Sequence, residues 1–164
     1  MKVRIHTVDR LLRFTREDKG AALAELAILV PFLVIMLAAV AEFGRFFQTY
    51  TTLAKATRSS ARYLSNHKFT VEEQDRAKNL VVCGKLDCTG SPPLVTGITA
   101  AKVCIQTTGA PKIETVTVSI PRDVGDCGAP HEFAPIFNIG ALLHNAFDIS
   151  VPISTSTTMY YMID

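Results

Sequence analysis

The side chains best equipped for chemistry are four cysteines, four histidines, a pair of aspartates and one carboxylate inside an apolar run. Cys83, Cys88, Cys104 and Cys127 are even in number, which in an oxidising compartment reads as two disulfides. Zinc would require close Cys-x-x-Cys pairs or histidines at finger spacing, and neither occurs. Three pairings are open; the economical one joins Cys83 to Cys88 and Cys104 to Cys127. His6, His67, His131 and His144 share no metal-ligand spacing. Asp123 and Asp126 bracket Val124-Gly125 but lack the further oxygen ligands of a calcium loop, so they read as an aspartate-stabilised turn. No nucleophile elbow, phosphate loop or H-E-x-x-H is present. The expectation is a protein without enzymatic activity, metal or cofactor.

The remaining chemical oddity is Glu25. Residues 19 to 34 read KGAALAELAILVPFLV, and the carboxylate falls five positions past Gly20. Residues 26 to 41 carry no charge, and Ala21 to Ala41 gives 21 residues with one acid. At about 1.5 Å per residue this length crosses a hydrocarbon core of roughly 30 Å. A buried core helix would keep a polar face, and this stretch has none. The chain's apolar share is 48% and its mean hydropathy +0.24, an excess concentrated here. Six basic residues (Lys2, Arg4, Arg10, Arg13, Arg16 and Lys19) precede the stretch, whereas Arg45, Lys55, Arg58 and Arg62 follow it more sparsely. The positive-inside rule therefore predicts a cytoplasmic N-terminus and an extracytoplasmic remainder. No small-residue cleavage site with a turn follows the apolar run, so the segment reads as retained rather than as a removed signal peptide. Without residues 1 to 20 the chain has 11 basic and 12 acidic residues, which excludes the basic surface of a nucleic-acid binder.

The positioning elements follow from pattern. From Ala21 to about Ser65 only Gly44 and Pro31 interrupt a helical texture. Pro31 cannot donate to the Ala27 carbonyl, and its ring crowds that carbonyl, so a kink or local opening is expected. Beyond the apolar run Phe43, Phe47, Tyr50, Ala54, Thr57, Ala61 and Leu64 recur at three- and four-residue steps, a stripe expected to bury against the outer domain or a neighbouring subunit. Lys55, Arg58 and Arg62 lie to another side. Residues 70 to 82 read as a short helix capped by Thr70, with Glu73 at the capping-box position. VCIQT (103–107) and KIETVTVSI (112–120) flank TGAP as a hairpin. PIFNIGALLHNAF (135–147) reads as a loop or short helix. Ile149, Val151 and Ile153 alternate with polar residues, Pro152 marks an edge strand or bulge, and the strand pattern continues through TSTTMYYM. The organisation expected is a basic leader (1–20), a transmembrane helix (21–42), an amphipathic extension (43–66) and an outer domain (67–164). Its fold class is α+β: a long helical stalk and a small, disulfide-braced, mostly antiparallel β domain.

These residues carry a likeness. A basic leader ending in Gly20, an acid at the fifth position after it and an apolar helix resemble the class III signal of type IV pilins. GAALAELAILVPFLVIMLAAVAEFGRFFQTYTTLAKATRSSARYLS is, more narrowly, similar to the TadE-like family of minor pseudopilins from tight-adherence (Flp) pilus systems. The shared features are Glu25, Pro31, the exit motif Glu42, Phe43, Gly44 and Arg45, and the stretch 57–62 with Arg58, Ala61 and Arg62. The likeness covers about 45 residues, and Ala24-Glu25-Leu26 departs from the valine and aromatic neighbours frequent in the family. The resemblance implies cleavage between Gly20 and Ala21 by a prepilin peptidase, and partners among other pilins, pseudopilins and the assembly platform. It further implies contact with inner-membrane lipid, a periplasmic C-terminal domain and a role in pilus assembly and surface adherence. A free Ala21 amine, with a reference pKa near 8, would offset the charge of Glu25 within one chain or between neighbours. The alternative is an uncleaved, permanently anchored membrane protein with a periplasmic binding or scaffold domain.

Overall fold

The computed structural model describes residues 5–123, 125, 127–136 and 150–163, with side chains from Gly20 onward. Val124 and Asp126 of the expected aspartate turn and most of the segment 135–147, with His144, therefore lie outside the described residues.

Helix α1 runs from Ile5 to Ser65. It begins well before the expected start at Ala21, because residues 5 to 19 contain neither glycine nor proline to stop it. The helix continues unbroken through Pro31. The chain divides into two units at Ala41/Glu42, the end of the apolar stretch. In the first unit the described large apolar side chains are exposed: Ile28 is 78% exposed and Val40 71%. The stretch is long and apolar enough to cross a membrane.

In the second unit α1 is followed by α2 (Val71–Cys83). Thr70 caps it by accepting from the Glu73 amide, as the sequence pattern predicts. The reciprocal half of the capping box does not form, since the Glu73 carboxylate takes the Tyr63 hydroxyl and Arg76 instead. Gly84 closes α2 in the left-handed conformation at φ 74°, its amide donating to the Leu80 carbonyl. A 3-10 turn (Ala100–Lys102) leads into five strands: β1 (Cys104–Thr108), β2 (Thr115–Ile120), β3 (His131–Phe133), β4 (Val151–Ile153) and β5 (Thr155–Tyr160). One antiparallel sheet has the order β1-β2-β5 and a second pairs β3 with β4. The β1–β2 hairpin matches the expectation from sequence. Gly109, at φ 88°, opens its turn where a Cβ would stand 2.5 Å from the Lys112 carbonyl oxygen. The terminal strand pattern resolves into β4 and β5, which belong to different sheets. Pro152 lies in β4 opposite Glu132, on an edge where its missing donor is tolerated. β3 had no clear sequence signal, being three residues long.

The core joins Leu53, Ala56, Ala61 and Leu64 of α1 to Ala77 and Val81 of α2, Val116, Val118 and Ile120 of β2, Phe133 and Ile153. Small side chains let the two helices approach, and the buried Ser60 hydroxyl donates to the Ala77 carbonyl at 2.7 Å. Disulfides join Cys83 to Cys88 and Cys104 to Cys127, the economical pairing. The first staples the end of α2 to the loop beyond it, and the second holds edge strand β1 to the segment before β3.

The buried stripe of α1 corrects the sequence reading. Thr57, Ala61 and Leu64 are buried as expected, but Phe43 is 69% and Phe47 58% exposed, and Tyr50 also faces outward. Leu53, Ala56 and Ser60 take the inward positions, with Phe46 packed against them. The aromatic part of the stripe is thus not buried against the outer domain, whose contact is made by Phe46, Leu53, Ala56, Ser60 and Leu64 instead.

Candidate functional site

The candidate site is the segment of α1 from Gly20 to Arg62, and its two ends are built differently. At the membrane end, Gly20 stands inside a helix with nothing within 4 Å of where a Cβ would be. No packing demands a glycine there, although one inside a helix costs about 1 kcal/mol relative to alanine. Ala21 and Glu25 are both exposed one turn apart. Among the described residues Glu25 has no ion pair or hydrogen bond. Among the described residues, then, neither Gly20 nor Glu25 is held by packing, an ion pair or a hydrogen bond.

The exit motif is the opposite case. Glu42 accepts the Ile136 amide at 2.8 Å and both of its oxygens receive Arg45 Nη1, at 3.2 and 3.1 Å. The Arg45 guanidinium lies 5.5 Å from the centre of the Phe133 ring, and Phe46 meets the same ring edge-on. Arg45 therefore anchors the start of the outer part of α1 to β3, and Glu42 anchors it to the segment just after β3. Phe43 and Gly44 point away, and Gly44 too has open space at its Cβ position. Sequence reasoning grouped the four as one motif; the structure gives two of them an inward job and leaves two outward. It missed His131 to Phe133 as the motif's partner, since nothing in a three-residue strand announces itself.

Beside this anchor is a cleft of about 370 Å³ lined by Arg45, Thr49 and Thr52 of α1 and by His131 and Glu132 of β3. His131 is 2% exposed and its Nδ1 has no partner among the described residues. Burial, with a smaller contribution from Lys102, holds this imidazole below its ordinary pKa. Farther along, Arg58 and Arg62 are exposed while Ala61 between them is buried, so the 57–62 stretch also divides by face.

No curated protein and no solved structure matches the chain. The family model described as TadE-like protein matches residues 20–62. Its bounds coincide with Gly20 and with Arg62, so the similarity spans the stretch that holds Glu25, the exit anchor and the arginine pair.

Proposed function

We propose that the chain is a minor pseudopilin of a tight-adherence pilus system. It inserts with its N-terminus in the cytoplasm and its disulfide-bonded domain in the periplasm, and prepilin peptidase cuts it after Gly20. The apolar half of α1 then packs among other pilin-like helices at the inner membrane, and the outer domain is presented for pilus initiation and adherence. The observation that carries this reading is the exposed, unpartnered Glu25 one turn from Ala21. A carboxylate within an apolar segment is unfavourable by up to about 2.5–3.5 kcal/mol at mid-membrane and less toward the edge. A cut after Gly20 creates a cationic amine that offsets this, within the chain or on a neighbouring subunit. Intact mass or N-terminal sequencing of the protein from cells holding the peptidase tests the proposal. A mature chain starting at Ala21 supports it; a chain retaining residues 1–20 overturns it in favour of a permanent anchor.

A further inference from the structure

Beyond Glu42 the surface of α1 includes two rows at four-residue spacing, Phe43-Phe47-Thr51-Lys55 and Tyr50-Ala54-Arg58-Arg62, which wind from the aromatic stripe onto the side that carries the cations. Each begins aromatic and ends basic, and residues so spaced lie one above another on a helix. The three aromatics and three cations are exposed, and they flank the buried stripe of Leu53, Ser60 and Leu64 on one side, Tyr50 standing one turn before Leu53. Among the described residues Lys55, Arg58 and Arg62 have no ion-pair partner. Gly44 lies along the same side with open space around it, a flat point at which a second backbone can approach.

Charge decides what fits. The only acids between residues 21 and 65 are Glu25 and Glu42, and Glu42 is already held by Arg45 and Ile136. A second copy inserted in the same direction therefore sets cations against cations at matched register. Lipid headgroups fit no better: Lys55 to Arg62 begin about 20 Å of helix past Glu42, roughly twice the screening length at physiological salt. We propose that this face docks a helix of a different chain running parallel to α1. That helix sets apolar side chains against Phe43, Phe47 and Tyr50 and carboxylates against Lys55, Arg58 and Arg62. The proposal rests on the reading of a chain co-inserted with other pilin-like subunits, but its test does not depend on processing at Gly20.

The probe is a fluorescent helical peptide with three leucines followed by three glutamates at three- and four-residue spacing, alongside its glutamine counterpart. Anisotropy is measured with the full chain in zwitterionic micelles. The glutamate peptide is expected to bind about tenfold more tightly, an advantage that shrinks with added salt. The double variant R58Q/R62Q is expected to remove it while circular dichroism and both disulfides stay unchanged. Equal binding of the two peptides, full competition by phosphatidylglycerol in the micelles, or self-association that occludes Tyr50 each overturns the proposal. A mature chain still starting at Met1 would overturn the pilin reading and leave the peptide result standing.

Discussion

Glu25 and Glu42 are both carboxylates on one helix, 17 positions apart in the sequence, and their surroundings give them opposite roles. Glu42 is satisfied by a backbone amide and a guanidinium, so it belongs to the fold; Glu25 has no ion pair or hydrogen bond among the described residues. Glu25→Ala is accordingly expected to leave membrane insertion intact and to reduce the protein's recovery in sheared pili, measured by immunoblot of membrane and pilus fractions. Normal recovery would remove the charge-pairing argument. His131 makes a second prediction. The unfolded chain takes up its imidazole proton near 6.5, whereas the buried residue resists it. The unfolded state thus binds more protons in that interval, and stability rises with pH. The contribution is complete above about pH 6.5 and disappears as pH falls through the lowered folded value. His131→Phe is expected to flatten the acid limb of a stability-against-pH curve, read from denaturant midpoints. An unchanged acid limb would show that the ring is not the titrating group.

At the scale of elements, α1 serves two masters along its outer half. One face builds the core through Leu53, Ala56, Ser60, Ala61 and Leu64, and the other carries Phe43, Phe47 and Tyr50 outward. Leu53→Ala is expected to lower stability by about 2–5 kcal/mol, because a cavity replaces fully buried volume. Phe47→Ala is expected to change it by less than about 0.5 kcal/mol, since its ring has no core contact to lose. Thermal unfolding of the detergent-solubilised variants checks the pair; similar losses for both would return the aromatic stripe to the core. Much of this architecture was legible beforehand. The apolar run, the Thr70 cap, the hairpin and the alternation of Val116, Val118 and Ile120 are each local patterns with a local cause. What was not legible is non-local. The rotation of the buried face depends on Ala77 and Ser60 allowing close helix approach, and the partners of the exit motif, Phe133 of β3 and the Ile136 amide beyond it, are some 90 residues away. The split of residues 151–160 between two sheets likewise needs to know where β2 and β3 lie. Within the site, the spacing of Gly20 and Glu25 was readable, whereas the division of the exit motif into inward and outward pairs required the Phe133 ring.

For the molecule as a whole, the second unit is a small domain whose core is supplemented by two covalent links. They close loops of very different length, with sequence separations of 5 and 23. Loop-closure entropy favours the longer link by about 1 kcal/mol. Cys104→Ser/Cys127→Ser is therefore expected to destabilise the domain more than Cys83→Ser/Cys88→Ser, by a margin readable in denaturant midpoints. A larger loss from the shorter link would indicate that it holds α2 in place rather than restricting the unfolded chain. Beyond this, the last described residues return to the end of α1. The Met162 amide donates to the Ser65 carbonyl at 2.9 Å. The Tyr161 hydroxyl stands between the His67 carbonyl and the Phe69 amide, 3.1 Å from each. A domain attached at one end only can be peeled strand by strand. Here the end of α1 and the strand that completes the sheet are fastened at the same junction. Were the proposed pilin reading correct, traction along α1 would be expected to load both together rather than to unravel the last strand.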